Sequence, residues 1–318
     1  MDGVRHLSAS EQLITYINRA KENQNLSPDF LLIVLGPTAS GKTKLAVRLA
    51  EHLNGEVISA DSRQVYKGLD IGTGKDLAEY GNIPYHLIDI RDPGAAYSAN
   101  LFRQDFNLAY QAIRKKCKQA ILCGGSGSYI QAILQDQPYS NIPANSDFHS
   151  DMASRDLNSL ISYLRSLEVP ENFSIDFSNK KRVIRAIEIA EFLQHNQLPE
   201  IKVKTIKEYL IIGLQPDREQ RRQAIDSRLI QRLNEGLIEE VQHLLSKGLS
   251  HDQIEWFGLE YKYVSYYLRG TLSRGQFIEK LRTEIHRFAK RQMTYFRKME
   301  KDGICIHWFN PVSLFQMS

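Results

Sequence analysis

Cysteine is scarce in this chain: three residues, Cys117, Cys123 and Cys305, with no paired spacing. That excludes a disulfide framework and a cysteine-ligated zinc site, and it points to a reducing cytoplasm. No apolar run approaches the roughly 18 residues that a transmembrane helix needs. Met1 to Ser10 contain no signal-peptide core, and no internal repeat or low-complexity tract interrupts the chain. The histidines offer no metal site either, since His86, His195, His243 and His251 share no ligand spacing. A net charge of only +4 excludes a broadly polycationic chain. What remains, 318 residues with 42% hydrophobic and 25% charged content, suits one large or two medium globular domains.

Against these absences one segment stands out. Gly36-Pro37-Thr38-Ala39-Ser40-Gly41-Lys42-Thr43 matches the phosphate-loop pattern G-x-x-x-x-G-K-[ST] in full. An apolar run, Phe30 to Leu35, precedes it as a buried strand, and a helical pattern, Lys44 to Ala50, follows. Strand, glycine loop and helix is the context in which backbone amides and a helix N-terminus wrap a diphosphate. Lys42 would neutralise the anion, and the Thr43 hydroxyl is placed to hold Mg2+.

The rest of the first half alternates strands and helices. An amphipathic helix is predicted over residues 10–22, with Leu13, Ile14, Ile17 and Ala20 on one side. Strands are predicted at 56–60, 85–90 and 120–123, helices at 99–116 (capped by Ser98) and 128–135, and a further strand at 209–214. Such alternation predicts an α/β fold: a P-loop NTPase-like parallel sheet core, with ligands at the strand C-termini. Residues 1–29 read as a helix and linker, 30–136 as the core, and the polar, proline-bearing segment 137–177 as a helical insertion over it. Residues 178–318 complete the core and carry a helical half, with helices over 180–193, 217–247, 252–269 and 273–301 and a closing strand over 304–309.

Several residues can carry chemistry. Asp61 directly follows the second strand, beside the phosphate loop, where a carboxylate ligates Mg2+, acts as a base or caps a turn. Ser62 and Gln64 suit a base edge. Asp89 fits a magnesium ligand or, more simply, a turn cap. Arg218, Arg221, Arg222 and Arg228 share one helix, and spacing does not choose which of them faces inward to clamp a diphosphate. Arg282 to Lys301 carries seven Lys/Arg against two Glu. Within it Arg287, Lys290, Arg291 and Arg297 interleave with Phe288, Tyr295 and Phe296, a mixture suited to phosphate contact and base stacking or to a core face with a cationic rim.

Taken together these segments resemble the tRNA dimethylallyltransferases, or tRNA isopentenyltransferases. The resemblance rests on the phosphate loop, Ile58 to Tyr66, Asp70-Ile71-Gly72-Thr73, His86 to Ile90, Tyr97-Ser98-Ala99, Arg182 to Glu188, Gly236 to Val241 and Ala289-Lys290-Arg291-Gln292, in order from residue 30 to about 300. It implies transfer of a five-carbon group from dimethylallyl diphosphate to N6 of adenosine 37 in tRNA, with Mg2+ as cofactor. By this resemblance the loop, Gly36 through Thr43, holds the departing diphosphate; Thr38 touches its bridging oxygen; Arg228 binds it; and Asp61 takes the N6 proton. The tRNA would meet Asp61, Ser62, Arg63, Gln64, Ser126, Lys181, Arg182, Arg185, Lys290 and Arg291, and the segment 256–261. The target base must leave its stack, and a channel through the protein would admit it. The enzyme is expected to be monomeric.

The chain departs from the family pattern at Ser126, where threonine is usual, at Gly72-Thr73-Gly74-Lys75-Asp76 for Gly-Thr-Ala-Lys-Pro, at Gly258-Leu259-Glu260-Tyr261 for Gly-Tyr-Arg, and at Ile285-His286 for Thr-Arg. These changes are expected to fall on the RNA side more than the diphosphate side. Alternative readings are prenylation of free AMP or ADP, a small-molecule P-loop kinase, and a non-catalytic RNA-binding relative.

Overall fold

The structure, a computed structural model, describes residues 9–170, 173, 175–200 and 203–315. The reading of Met1 to Ser10 therefore falls mostly outside the described residues, as do three positions of the 137–177 segment. The chain divides into two compact units, one of residues 1–134 with 205–318 and one of residues 135–204.

The first unit is built on β1 (Leu31–Leu35), β2 (Gly55–Ser59), β3 (Tyr85–His86), β4 (Gln119–Gly124), β5 (Tyr209–Leu214) and β6 (His307–Phe309). They form one parallel sheet in the order β3-β2-β4-β1-β5-β6. Every residue of β1 is fully buried, as the unbroken apolar run requires of a central strand covered on both faces. Its alternate side chains serve two cores. Leu31, Ile33 and Leu35 meet α3 (Ala99–Lys115) and α4 (Gly127–Leu134), while Leu32 and Val34 meet α1 (Ala9–Asn23) and α2 (Lys42–His52). Each such Leu, Ile or Val contributes about 1.5–3 kcal/mol of burial. In α3, Phe102, Phe106, Ala109, Tyr110 and Ile113 form one apolar stripe, and the Ser98 Oγ accepts the Leu101 amide at 3.3 Å, the expected cap.

The predicted third strand is cut to two residues. Leu87 and Asp89 adopt positive φ, 64° and 57°, which no strand tolerates. The amides of Asp89, Ile90 and Arg91 instead donate to the carbonyls of Gln64 and Val65. The helical second half is also more divided than its periodicity predicts. It comprises α8 (Arg218–Asn234), α9 (Leu237–Ser246), α10 (His251–Trp256), α11 (Leu259–Leu268) and α12 (Arg274–Lys301), followed by a short α13 (Pro311–Phe315). Gly258, at φ 148°, separates α10 from α11 within the single predicted helix. Capping boxes start α8, α10 and α12, as at Ser273 and Gln276. Tyr261, Phe257, Leu229, Leu281 and Ile285 are among the side chains of the core these helices share.

In the second unit, α5 (Ser146–Ser154), α6 (Leu157–Ser166) and α7 (Lys180–His195) enclose a small core around Leu160, Val183, Ile184 and Ile187. Composition set this segment's end near 177, but the apolar side of α7 packs on α5 and α6, so the unit runs to residue 204. Among the described residues no helix is long and apolar enough to cross a membrane.

Candidate active site

The glycine loop joins the C-terminal end of β1 to the start of α2. Ala39 and Gly41 take positive φ, 59° and 79°. That curls successive amides into an anion-binding nest above a helix N-terminus, whose first amides have no acceptor within the helix. Gly36 leaves little room for a side chain: a Cβ there would stand 2.6 Å from Ser40 Oγ and 3.1 Å from the Leu214 carbonyl oxygen. Ser40 Oγ is buried without a hydrogen-bond partner, an orphaned donor inside the cradle that suits an oxyanion. Burial holds the Lys42 ammonium below its ordinary pKa, and Arg228 and Arg232 push the same way. Behind the loop, burial raises the Cys123 thiol to about 12, so it remains neutral beside Thr43.

Two cavities meet at this loop. One, of about 700 Å3, is lined by residues 39–43, the 70–79 loop and α8. The other, of about 510 Å3, is lined by Thr38, residues 61–64, Gly124, Ser126, residues 255–262 and the α12 side chains Phe288, Arg291 and Gln292. Lys42, Thr43, Arg228 and Arg232 line both. The two chambers adjoin at the phosphate cradle, whose residues line both.

Asp61 lies in the second chamber, half-buried after β2. Its Oδ1 accepts the Arg63 amide at 2.8 Å, an Asx turn that fixes the carboxylate and leaves Oδ2 for another donor. Ser126 Oγ accepts the Ser62 amide at 3.3 Å, which joins the β2 and β4 loops. The Gln64 amide spends one donor on the Gly74 carbonyl and one acceptor on Ser59 Oγ, both at 2.9 Å, so its first task is to hold the 70–76 loop. Arg63 lies over the half-exposed ring of Trp256, 4.5 Å from its centroid, and Arg291 lies beside Phe288. The core-face expectation for α12 holds for Phe296, which is buried, and not for Phe288, which is exposed.

Of Arg218, Arg221, Arg222 and Arg228, only Arg228 lines the two cavities at the cradle. Burial lowers its pKa, and the neighbouring Arg232 adds to the effect. Arg232 itself, buried and bonded to the Gly72 carbonyl at 3.2 Å and Glu260 at 2.8 Å, was not singled out from the sequence. Gln292 was missed as well. From α12 its Oε1 accepts the Thr38 amide at 2.9 Å and its Nε2 donates to the Gly125 carbonyl at 3.0 Å, so it ties the phosphate loop to the glycine turn after β4. Its place in the Ala-Lys-Arg-Gln segment was the available signal.

Other candidates are placed elsewhere. The Asp89 carboxylate pairs with Lys75, which is buried and bonds Asp70 and the Tyr66 carbonyl as well. Lys290 is exposed on α12. Lys181, Arg182 and Arg185 belong to the second unit. Lys181 is exposed, and Arg182 pairs with Asp176 at 2.7 Å. Arg185 is engaged by Glu188 and by the carbonyls of Tyr139, Ile142 and Pro143. Among the described residues no cluster of three His, Cys, Asp or Glu could hold a metal by itself. Mg2+ asks for less, since it keeps several waters and takes one or two protein oxygens with substrate phosphates. Thr43, with Asp61 in the same chamber, fits that demand.

A parallel sheet, a phosphate-loop cradle at the end of its central strand and a carboxylate in a chamber beside it define a P-loop protein. The IPP transferase family model matches residues 64–299, and the chain belongs to this family. It is 46% identical over 286 residues, 88% of its length, to tRNA dimethylallyltransferase 2 of Bacteroides fragilis, of which it covers 93%. It is 44% identical over 285 residues to the protein of the same name from Syntrophotalea carbinolica, covering 88% of this chain and 94% of that one. Its fold is similar, with TM-score 0.65 and 33% identity, to the full-length tRNA isopentenylpyrophosphate transferase of Bacillus halodurans, covering 89% and 90% of the two chains.

Proposed function

We propose that this protein transfers a dimethylallyl group from dimethylallyl diphosphate to N6 of adenosine 37 in tRNA. The single observation that carries the reading is the junction of the two chambers: an anion cradle and Asp61 lie in one cavity, as a donor and an acceptor entering from different sides require.

The diphosphate binds in the Gly36 to Thr43 loop, through the amides that remain free there (Pro37 has none, and Thr38 spends its own on Gln292), and through Lys42 and Arg228. As the allylic carbon–oxygen bond breaks, its electron pair leaves with the diphosphate, and the preorganised donors stabilise the charge where it grows. Thr38, held by Gln292, stands at the bridging oxygen. The N6 lone pair forms the new carbon–nitrogen bond, and Asp61 accepts the N6 proton. When bound, Mg2+ held through Thr43 supplies further neutralisation of the leaving group. Arg63 on Trp256, and Arg291 with Phe288, provide cationic and aromatic walls for an unstacked base and its neighbours. Lys290 and, on the second unit, Lys181 and Arg182 contact phosphates, whereas Arg185 holds its own unit together. The protein works as a monomer in the cytoplasm.

The test is to incubate the protein with labelled dimethylallyl diphosphate, Mg2+ and either bulk tRNA or AMP. Label is expected in tRNA. Label in AMP alone, or in neither, would overturn the reading.

A further inference from the structure

Asp76 is out of place by ordinary rules. It stands at the N-cap of the short helix Leu77–Tyr80, where aspartate normally accepts a backbone amide, yet its side chain makes no such bond. It holds φ at 46°, a left-handed conformation that aspartate tolerates at some cost. The carboxylate is turned to the Arg228 guanidinium, which also donates to the Gly74 carbonyl at 3.4 Å.

Its surroundings explain the arrangement. Arg228 and Arg232 lie over Gly74, so close that a Cβ there would fall 2.3 Å from Arg228 Nη2 and 1.9 Å from Arg232 Nη2. With Lys42 they make three cations at one junction. Asp61 and Glu79 stand near these cations, but two carboxylates pair directly with the arginines, and the two pairs differ. Arg232–Glu260 is largely buried, with side chains 9% and 17% exposed, and Glu260 is carried by a helix. Arg228–Asp76 is more open, at 27% and 38%, and Asp76 is carried by a loop that lines the larger chamber. The first pair is a fixed strut. The second can exchange.

We infer that Asp76 is an internal stand-in for the diphosphate: it occupies the Arg228 guanidinium in the empty site, yields it to the incoming diphosphate and reclaims it as pyrophosphate leaves. Asp76 thereby sets how tightly the cradle holds an organic or inorganic diphosphate. The inference rests on the proposed role of Arg228.

The experiment measures binding of inorganic pyrophosphate with Mg2+ by calorimetry to the full chain and to Asp76→Asn, Arg228→Ala and the double variant. Asp76→Asn keeps a hydrogen-bond acceptor and removes the competing charge; Asp76→Ser serves if the first variant melts early. Pyrophosphate affinity is expected to rise roughly three- to tenfold in Asp76→Asn, and the rise is expected to vanish in the Arg228→Ala background. If Arg228→Ala weakens binding while Asp76→Asn leaves it unchanged or weaker, Asp76 merely orients Arg228 and the inference falls, with the diphosphate role of Arg228 intact. A rise that persists without Arg228 overturns the inference too. Should Arg228→Ala leave pyrophosphate affinity untouched, the underlying reading of Arg228 fails first.

Discussion

Replacing Gln292 by methionine tests whether the cradle is held from behind. Methionine keeps the length and much of the volume of glutamine and removes both polar atoms. Gln292 is 8% exposed, so the Thr38 amide and the Gly125 carbonyl have little water to turn to. An unsatisfied buried partner costs about 1–3 kcal/mol, and two such losses give roughly 2–4 kcal/mol of stability after local relaxation. Catalysis should suffer separately, because Thr38 loses its anchor and small misplacements near a reacting bond cost up to about 100-fold. Urea denaturation followed by circular dichroism reads the first effect, and kcat/KM for tRNA at saturating dimethylallyl diphosphate reads the second. A stability change below about 0.5 kcal/mol with activity within twofold of the parent would show that the Gln292 contacts hold nothing.

Acid stability is expected to depend on Glu56. Burial alone would raise its pKa, but hydrogen bonds with His86, Lys116 and Lys118 outweigh burial and bring it from 4.5 to about 2. The folded value lies below the unfolded one, so this contribution, about 3 kcal/mol, is complete above pH ~4.5 and is lost as pH falls towards 2. Glu56→Gln should lower stability at pH 7 and flatten the acid limb of a stability–pH curve; an unchanged limb would contradict the assignment. On the RNA side, Lys290→Ala should weaken tRNA binding and reduce the salt slope by roughly 0.7–0.9, as one lost phosphate contact does. An equal slope in parent and variant would place Lys290 off the RNA.

The parts of the site that lie within one short segment were legible in the sequence. Eight consecutive residues specify the phosphate loop, and the apolar run before it specifies a central parallel strand. Asp61 was legible because a residue after a parallel strand must emerge at the ligand end of the sheet. What spacing did not show is contact between distant segments. Nothing in the spacing of the five arginines of α8 marks Arg228 over its neighbours until the 70–76 loop is folded against that helix. Gln292 reaches Thr38 across 254 positions. Asp76 and Glu260, expected on the RNA side as departures from the family pattern, turn out to pair with the two arginines beside the cradle. The third strand ends early for a similar reason: Leu87 and Asp89 take positive φ, and the amides of residues 89–91 bond to Gln64 and Val65, about 25 positions away.

The central claim is that Asp61 deprotonates the acceptor amine opposite a bound diphosphate. Single-turnover transfer to tRNA by Asp61→Ala, measured beside its tRNA affinity, tests this most directly. Prenyl transfer should fall by at least about 100-fold, within the usual range for loss of a general base, while tRNA affinity stays within a few-fold of the parent. Transfer at near-parental rate, with tRNA bound equally well, would remove Asp61 from the chemistry and contradict the account.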